Sequence, residues 1–510
     1  MKINRRDWVR AGALAGAGAL VSGCNRMVYN ATGPEAPKSV SLPKGDVEPT
    51  VRLVNRVSFG PTPGELERVA SLGHEKYVDE QLHTDGADSL KLQLRLHGNA
   101  ALHVRPPELR DYKQSEVMKQ LEQAALLRAV YSPHQLYERM VDFWSNHFNI
   151  YARKGPEVYF LPTDQLKTIR AHALGRFSDL LRASAHSPAM LCYLDNQVNR
   201  KGVPNENYAR EIMELHTLGV HGGYTHEDIV EVARCFTGWG VENRFFRPRH
   251  TFRFDPDVHD YGKKVVLGDV IPASKPGMMQ YNDKRLPAGQ LDGEFVLSGL
   301  AVHPATGKFI SGKLCRYFLG DANSPMRDKL ATIFSETGGD IKKMLRPLLL
   351  SKELQSGPPI LKRPFDFVVS SLRAVNANTD GGKNVQSHLA KMGQPLYMWP
   401  MPDGYPDKTT AWTGSILARW NYAFALATGS IAGTAVNLPT LVSAANATTD
   451  SECADALMAL VLARRATTEP LKNLQEKVTQ HIAKAPRRND RPVLSETAAL
   501  LISSPEFQWR

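Results

Sequence analysis

Helical spacing of apolar residues most constrains the fold of this chain, and it recurs from Val51 to the C-terminus. Apolar side chains three and four positions apart form one stripe along a helix, whereas a half-buried strand shows strict alternation. Glycine, proline and capping patterns such as Thr225–Asp228 divide this spacing into many short segments. We therefore expect a mainly α fold, with one large multi-helical domain over residues 51–510. The predicted helices include Pro61–Leu82, one starting at Ser132, Asp164–Arg176, Phe177–His186, Asn205–Gly219, Gly293–His303, Ala305–Phe318, Met326–Thr337, Ile341–Leu350, Lys362–Ala377 and Trp412–Thr428.

The helical spacing is interrupted between residues 243 and 277. Phe245, Phe246, Phe252 and Phe254 are interspersed there with polar residues, proline and aspartate. This pattern favours a small aromatic-rich loop or hairpin insertion that lies over the helices. A weak similarity between residues 345–354 and 500–507 leaves two interpretations open. The domain has two related halves that meet near residues 243–292, or the similarity is due to chance.

Residues 1–23 are typical of an export signal rather than of a folded element. Arg5 and Arg6 form a twin-arginine pair, and the apolar run Ala11–Val21 is too short to span a bilayer. The run leads into Leu20–Cys24, which resembles a bacterial lipobox in which the Cys24 thiol accepts a diacylglycerol. The sequence thus predicts a twin-arginine-exported lipoprotein. The alternative is an ordinary signal peptide followed by a chance cysteine.

The residues after Cys24 bear on location. Residue 25 is Asn rather than the aspartate that resembles an inner-membrane retention signal, so in a Gram-negative cell the outer membrane is favoured. We expect a lipid anchor that holds the protein on the periplasmic side of the cell envelope without spanning the membrane. Residues 24–50 are rich in proline, serine, glycine and charge, which predicts a flexible tether. Twin-arginine export carries folded proteins, which fits an inserted cofactor and fits fast folding equally well.

Charge and cysteine content exclude several classes of protein. The formal net charge is +11, but the basic residues are scattered and form no stripe with stacking aromatic side chains. Nucleic-acid binding is therefore not expected. Cys192, Cys235, Cys315 and Cys453 are far apart and form no Cys-x-x-Cys motif, which excludes a zinc ribbon or a dense disulfide scaffold. One or two disulfides and four buried thiols remain open alternatives.

Two histidines are predicted to face the protein interior. Projected at about 100° per residue, His216 falls within the apolar arc of the helix through Asn205–Gly219. His147 falls in the apolar stripe formed by Phe143 and Trp144 on the helix that follows Pro133. One interpretation is a pair of core histidines whose nitrogens are satisfied by backbone or carboxylate groups. The other is that His147 and His216 converge with a carboxylate on a divalent metal or an acid–base centre.

The segment Pro204–Trp239 also supplies acidic and polar candidates. They are Asn207, Arg210, Glu211, Glu214, Glu227 and Glu231. Charges at such spacings ordinarily form solvated, salt-bridged helix faces. Alternatively, the two acidic faces oppose each other across the Gly222–Gly223 turn and together hold a cation. For a metal centre, the predicted ligands are His147, His216 and Glu214.

The sequence was also compared with the short motifs of other enzyme and nucleotide-binding classes. The sequence has no Gly-x-Ser-x-Gly elbow, although Ser-His-Asp chemistry stays open. It has neither a P-loop nor a Gly-x-Gly-x-x-Gly fingerprint, which argues against nucleotide binding. The Pro/aromatic loop Leu396–Pro406 either caps the core or, with Trp399 and Trp412, forms a platform on which a sugar stacks.

Eight segments carry a family resemblance. They are N-R-V-S-F-G-P-T-P-G-E-L (55–66), F-W-S-N-H-F (143–148), R-F-S-D-L-L-R-A-S-A-H-S-P-A-M-L (176–191), P-N-E-N-Y-A-R-E-I-M-E-L-H-T-L-G (204–219), F-T-G-W (236–239), K-R-P-F-D-F-V (362–368), G-Q-P-L-Y-M-W-P-M-P-D-G-Y-P (393–406) and S-P-E-F-Q (504–508). From about Val51 to Arg510 the chain resembles the bacterial family catalogued as domain of unknown function 1800. The resemblance implies an exported protein, often encoded beside an exported partner that resembles alkaline-phosphatase-like sulfatases. It implies no particular reaction.

These observations predict an exported envelope lipoprotein that acts as a binding or assembly partner of a co-exported, sulfatase-like protein. The alternative is a metal-dependent periplasmic enzyme, a hydrolase or oxidoreductase, with a buried His/Glu centre. This alternative requires the imidazoles of His147 and His216 to lie within about 5 Å of each other or of a carboxylate, around a pocket.

Overall fold

The computed structural model describes residues 28–29, 31–37, 40–44, 47–84, 86–244, 247, 249–484 and 491–510. Arg5, Arg6, Cys24 and the rest of the predicted export signal lie outside the described residues. The structure is 59% helical and its only sheets, over the described residues, are two-stranded. The prediction of a mainly α fold is therefore confirmed.

Short α-helices form most of the described chain. In order they are α1 Glu48–Val57, α2 Glu65–Leu72, α3 His74–Leu82, α4 Leu90–Leu96, α5 Pro106–Leu109, α6 Gln114–Tyr131, α7 Gln135–His147, α8 Glu157–Asp164, α9 Phe177–Ala185, α10 Pro188–Tyr193, α11 Asn207–Glu211, α12 His226–Cys235, α13 Ala288–Val302, α14 Pro304–Leu319, α15 Met326–Thr337, α16 Ile341–Leu349, α17 Lys352–Ser356, α18 Pro364–Ala374, α19 Lys383–Lys391, α20 Ile416–Ala427, α21 Leu438–Ser443, α22 Asp450–Val461, α23 Glu469–Ala483, α24 Arg491–Ser503 and α25 Pro505–Gln508. Short 3₁₀ turns occur at Ala100–Leu102, Asn196–Val198, Pro256–Val258, Thr409–Ala411 and Thr413–Ser415.

Two segments have π-helical rather than α-helical hydrogen bonding, namely Gln165–Arg170 and Ile212–Thr217. The first follows Pro162, which lies inside α8 and has no N–H to donate. The second interrupts the helix expected over Asn205–Gly219. Wide turns of this kind are rare in proteins and occur frequently at functional sites.

Helix α7 begins three residues after the predicted N-cap. Ser132 does not cap it; its hydroxyl accepts a hydrogen bond from the His134 amide at 3.1 Å. The side chain of Gln135 donates to the carbonyl oxygens of Ser132 at 2.8 Å and Ala129 at 3.1 Å. These bonds turn the chain sharply between α6 and α7. In contrast, the predicted capping box at the start of α12 is confirmed, with Thr225 and Asp228 bonded reciprocally.

The strands form small antiparallel pairs. They are β1 Trp239–Val241 with β2 Phe252–Phe254, β3 Lys264–Val266 with β4 Asp269–Ile271, β5 Met278–Tyr281 with β6 Lys284–Pro287, and β7 Asn378–Thr379 with β8 Thr434–Ala435. The first three pairs form the predicted aromatic-rich insertion, of which Phe245 and Phe246 lie outside the described residues. Trp239 is 1% exposed because its indole packs against α13 at Gly293, where a Cβ would lie 2.5 Å from the ring.

Two large clusters of buried apolar side chains form the core. The first runs from Val47 to Leu354, and the second is built mainly from Phe365 to Phe507. Helix α6 belongs to both, through Leu121 on one side and Leu126 on the other. Most residues of the first cluster precede residue 354 and most of the second follow residue 365. The meeting of two halves near residues 243–292 stays a prediction from the sequence.

The described part of the predicted tether lies against the domain. Thr32, Val40 and Val47 are 8%, 7% and 6% exposed, and the Arg465 guanidinium donates to the Leu42 carbonyl at 3.2 Å. Helix α1 begins at Glu48. For these residues the expectation of a free tether over 24–50 is wrong, because apolar and backbone groups within it find partners on the folded domain.

Two further features concern the chain as far as it is described. None of its helices has both the length and the apolar character needed to cross a bilayer. Cys192, Cys235, Cys315 and Cys453 are all buried and none of them forms a disulfide.

Candidate functional site

A cavity of about 220 Å³ lies where α6, α7, the first π-helical segment and the Pro/aromatic loop meet. Its lining residues are Phe59, Leu102, His103, Leu121, Ala124, Ala125, Arg128, Ala129, Glu138, Val141, Asp142, Ser145, Asn146, Asn149, Pro162, Gln165, Leu166, Arg170, Phe365, Gln394, Leu396, Tyr397 and Tyr405. We call it the central cavity. Pockets for small molecules are typically apolar with a few placed polar groups, and this lining has that composition.

Helix α7 faces the central cavity with a polar stripe. Glu138, Asp142, Ser145 and Asn146 follow each other at helical spacing, on the side away from the apolar stripe that holds His147. The amide of Asn146 donates to the Tyr405 carbonyl at 3.0 Å and accepts from the Tyr405 amide at 2.7 Å. The same helix therefore supports the core with one face and lines the cavity with the other.

The Pro/aromatic loop closes the cavity and is held by two asparagines. In addition to Asn146, Asn149 donates to the carbonyl oxygens of Trp399 at 3.0 Å and Met401 at 2.7 Å. Gly404 has φ +79°, and a Cβ there would lie 2.2 Å from the Asn146 carbonyl oxygen. The loop thus approaches α7 more closely than any residue with a side chain would allow.

Charged groups in the wall are paired with each other. Glu138 and Arg170 form two hydrogen bonds of 2.8 Å, and Arg128 lies 2.8 Å from Asp88. Asp142 accepts from the Arg363 guanidinium and, at 3.0 Å, from a tyrosine hydroxyl. Since these charges compensate one another within the protein, a neutral ligand suits the cavity better than an ionic one.

Two amide groups in the wall are left for a ligand. The Oε1 atom of Gln165 accepts from Ser145 at 3.0 Å, and that of Gln394 accepts from the Phe365 amide at 2.8 Å. Both residues line the cavity, and their NH₂ groups make no hydrogen bond to any described residue. They are therefore available as donors to an oxygen or nitrogen atom of a bound molecule.

Glu122 lies on α6 next to the cavity-lining residue Leu121. Its carboxyl group is half-buried and forms no hydrogen bond or ion pair within the described residues. Burial raises its pKa from 4.5 to about 7, against the opposing effect of Arg153. Its charge acts on Tyr397 and Tyr405, which both line the cavity. A carboxyl group with a pKa near neutrality beside a pocket is suited to proton exchange or to pH-dependent binding.

His147, the last residue of α7, and His216 are neighbours in the core. The sequence left their convergence open beside the interpretation of two core histidines with satisfied nitrogens. Both are 1% exposed, and their ring centroids are 5.9 Å apart. The Nε2–H group of His147 donates to the His216 carbonyl oxygen at 3.1 Å, which leaves its Nδ1 as an acceptor. Among the described residues, neither His147 Nδ1 nor His216 Nε2 has a hydrogen-bond partner. Each histidine therefore has at least one ring nitrogen without the partner that a satisfied core histidine needs.

Both imidazoles are neutral at ordinary pH. Burial and the nearby charge of Lys313 lower the pKa of His216 to about 3. The same two effects, together with His216 itself, hold the pKa of His147 well below its usual value. Lys313 is half-buried on α14, with its amine 5.7 Å from the centre of the Phe309 ring.

Glu214 does not join the two histidines. Its carboxylate lies 3.6 Å from Arg210, and after burial it is the largest influence that raises the pKa of Tyr224 to about 12. Within the described ranges, no three or more His, Cys, Asp or Glu side chains are grouped so that they would hold a metal ion. The predicted ligand set of His147, His216 and Glu214 is therefore not assembled in this structure.

Most of the other polar and acidic candidates form ion pairs or hydrogen bonds with neighbouring residues. Glu231 bonds Arg234 at 2.7 Å, and Arg210 lies 3.1 Å from Glu206. Asn207 donates to Asp195 at 3.3 Å. Glu227 is exposed, and hydrogen bonds to its own backbone and to Thr225 lower its pKa. These contacts fit the salt-bridged interpretation of the two faces.

Glu211 is the exception among them. It is half-buried, and burial together with the Glu214 carboxylate raises its pKa to about 7. Asp403 of the Pro/aromatic loop raises it further, which places these two acids near each other.

The sequence reasoning missed Glu122, Gln165, Gln394 and Lys313. A usable signal existed for the polar stripe of α7, because Asp142, Ser145 and Asn146 are short polar residues opposite an apolar face. Glu122 carries a weaker signal, as a carboxylate flanked by Leu121 and Ala124 in an apolar helix. Gln165 and Gln394 carry none, because their roles depend on the π-helical segment and on the fold of the loop.

Comparison with known proteins gives one match. The family described as "Protein of unknown function (DUF1800)" matches residues 52–509, nearly the whole chain. No curated protein and no solved structure matches the chain. The chain therefore belongs to the DUF1800 family, as the motifs in its sequence predict.

Proposed function

We propose that this protein is a lipid-anchored protein of the bacterial envelope that binds a small, uncharged, largely apolar molecule in the central cavity. The export and anchoring part of the proposal rests on Arg5, Arg6 and Cys24 in the sequence. The binding part rests on the cavity.

One observation carries the binding proposal. Segments that bear the family resemblance are far apart in the sequence, yet four of them meet at the central cavity. They contribute Phe59 (from 55–66), Ser145 and Asn146 (from 143–148), Phe365 (from 362–368), and Gln394, Leu396, Tyr397 and Tyr405 (from 393–406). Segments that served only the core would have no reason to converge on an open space, since interiors are otherwise close-packed.

The walls define the class of ligand. Aromatic and aliphatic side chains supply most of the surface, and the free amides of Gln165 and Gln394 supply two hydrogen-bond donors. A volume of about 220 Å³ lies somewhat below the range typical of drug-sized ligands. A compact molecule with one or two acceptor atoms meets these conditions.

Recovery of a bound molecule tests this function. The lipoprotein is purified from its native envelope in mild detergent and examined by native mass spectrometry, followed by extraction and identification of any small molecule. Ala125 lines the cavity, so Ala125→Phe places a ring in the space that the ligand needs. We expect a stoichiometric small molecule on the wild-type protein and none on the variant.

A matched control separates loss of the cavity from loss of the fold. Ala390 is exposed near the end of α19, so Ala390→Phe makes the same change on the surface and is expected to retain the molecule. Wild-type protein that carries no small molecule, or Ala125→Phe protein that carries as much as wild type, would contradict the proposal.

An exposed apolar surface supports binding of the expected protein partner. Six apolar side chains on and beside α20 and α24 are between 38% and 69% exposed, namely Ile416, Leu417, Trp420, Phe424, Leu500 and Trp509. We call this the α20 stripe. The Trp420 indole donates to the Ser503 carbonyl at 3.2 Å, which fixes its ring between the two helices. Contiguous exposed apolar patches and fixed tryptophans are typical of protein interfaces.

We propose that the α20 stripe binds the co-exported, sulfatase-like protein. The test is co-purification of the two proteins after co-expression, with Leu417→Asp as the disrupting variant. Val203 is also highly exposed but lies outside the stripe, so Val203→Asp is the control. The proposal predicts that only Leu417→Asp loses the partner, and equal recovery with both variants would refute it.

A further inference from the structure

A second, smaller cavity of about 50 Å³ lies between α1, the segment before α18 and the C-terminal residues. Four cationic side chains line it, namely Arg52, Lys362, Arg464 and Arg510, against two carboxylates, Glu48 and Glu506. Lys362 belongs to the family segment 362–368, which has no part in the proposed function apart from Phe365. We propose that this cavity is a binding site for a small oxyanion of the phosphate or sulfate class.

Lys362 is the main observation behind the proposal. It is 4% exposed, and its amine makes no hydrogen bond to any described residue. Its only close partner in the described chain is the face of the Phe507 ring, whose centre lies 3.5 Å away. Ammonium groups of buried lysines ordinarily gain hydrogen bonds or an anionic partner of their own. This one makes no hydrogen bond within the described residues, and the Asp366 carboxylate that acts on it is already paired with Arg139 and Arg363.

Arg510 supplies an independent observation. One of its nitrogens donates to the Tyr317 carbonyl at 3.3 Å, but its Nε and Nη1 atoms are buried without a partner among the described residues. Guanidinium N–H groups form charge-assisted hydrogen bonds to the oxygens of oxyanions. Arg510 and Lys362 both line this cavity, and each has donors that no described residue uses.

The surroundings add to the excess of positive charge. Behind the cavity wall, Arg139 and Arg363 both pair with Asp366, whereas the buried Arg56 has no carboxylate partner in the described chain. Its Nη2 donates to the Pro358 carbonyl at 2.8 Å, and its Nε and Nη1 are buried without partners. Uncompensated buried cations strongly destabilise a fold unless an anion accompanies them.

The size of the cavity agrees with a small ion. One water needs about 10–15 Å³ of such space, so 50 Å³ corresponds to about three to five water-sized positions. A tetrahedral oxyanion has four oxygens and fits this space, whereas a nucleotide or a sugar phosphate does not.

Lys362 also makes binding depend on pH. Burial, Arg510, Arg419 and Arg464 lower its pKa to about 7, against the opposing effect of Asp366. The carboxylates of Glu48 and Glu506 and the Arg52 guanidinium complete the charged groups that face the cavity. An oxyanion favours the charged amine, so affinity should fall as the pH rises through 7, by up to about tenfold per unit.

Thermal unfolding of the full-length protein in sulfate tests the site, with chloride added to keep the ionic strength constant. Sulfate is used because its own charge does not change near neutral pH. We expect a melting temperature that rises saturably with sulfate and an affinity that weakens from about pH 6 to about pH 9. Isothermal calorimetry with sulfate measures the affinity directly.

Three variants make the test specific. Lys362→Met keeps the length of the side chain, and we expect it to weaken sulfate binding at least tenfold. Arg464→Gln removes a partly exposed cation of the same cavity and should weaken binding even if the first variant folds poorly. Lys343→Met removes one positive charge from the exposed end of a different helix and should leave binding unchanged. Stabilisation that does not saturate, or that is equal in all four proteins, would overturn the proposal.

Discussion

Replacing Glu122 by glutamine should stabilise the protein in a pH-dependent way. The folded state raises the pKa of Glu122 from 4.5 to about 7, chiefly through burial beside the central cavity. Below pH 4.5 the carboxyl group is protonated in both the folded and the unfolded state, so its raised pKa does not lower the free energy of unfolding. Between 4.5 and about 7 the unfolded chain releases the proton while the folded chain retains it, so stability falls as the pH rises.

The size of this effect follows from the shift. One pKa unit corresponds to about 1.4 kcal/mol, so the full cost above pH 7 is about 3 kcal/mol. Glutamine carries no charge and removes that cost. We therefore expect Glu122→Gln to raise the free energy of unfolding by about 2–3 kcal/mol near pH 8, and by less than about 1 kcal/mol near pH 5.

Urea unfolding of both proteins across this pH range is the assay. Glu336→Gln is the control, because Glu336 is exposed and has no hydrogen bond or ion pair within the described residues. The control should differ little from wild type at any pH. A gain for Glu122→Gln that is the same near pH 5 and pH 8, or a loss at pH 8, would refute the view that Glu122 is a desolvated acid.

The remaining predictions concern the histidine pair and the loop. The pKa of His216 is about 3 in the folded state against 6.5 unfolded, so the unfolded chain gains protons first and stability falls with acidification. This cost reaches about 2 kcal/mol near pH 5. In urea unfolding, the wild-type protein should therefore lose about 2 kcal/mol more stability than His216→Gln between about pH 7 and pH 5. Parallel pH profiles of the two proteins would contradict this prediction. Gly404→Ala should lower the melting temperature markedly and release the cavity ligand, because its Cβ would lie 2.2 Å from the Asn146 carbonyl oxygen. Gly393→Ala is the control, because Gly393 has φ +91° but no atom within 4 Å of the added Cβ, so this variant bears only backbone strain of about 1 kcal/mol. An equal fall in melting temperature in the two glycine variants would argue against close packing of the loop on α7.

Helical periodicity was sufficient to predict the fold class. It placed His147 and His216 in the protein interior but did not decide between two separate core histidines and a converging pair. Each histidine lies in an apolar stripe of its own helix, and buried stripes of a helical domain must pack against each other. The same projection placed Glu214 on the other side of its helix from His216, and the structure keeps it there beside Arg210.

The central cavity was beyond that kind of reasoning. Its walls come from α6, α7, a π-helical segment and a loop that is more than 220 residues away in sequence. Periodicity shows which face of α7 is polar, but it does not show that the Pro/aromatic loop folds over that face. That geometry depends on Gly404 and on the hydrogen bonds of Asn146 and Asn149, which are long-range contacts.

The paired charges explain why the acidic candidates were less informative. Glu227 and Glu231 are conspicuous in the sequence, yet one is exposed and the other is bonded to Arg234. Glu122 is inconspicuous, yet it lacks a partner next to a cavity. The Glu122 carboxyl group is removed from water without a hydrogen bond or ion pair within the described residues to offset the cost. This difference depends on the tertiary structure.

Native mass spectrometry of the protein from its own envelope shows whether the central cavity holds a ligand. We expect a single small, uncharged molecule bound in a one-to-one ratio to the wild-type protein and to Ala390→Phe, and absent from Ala125→Phe. Wild-type protein without any such molecule, or a molecule that remains bound when Ala125→Phe fills the cavity, would contradict it.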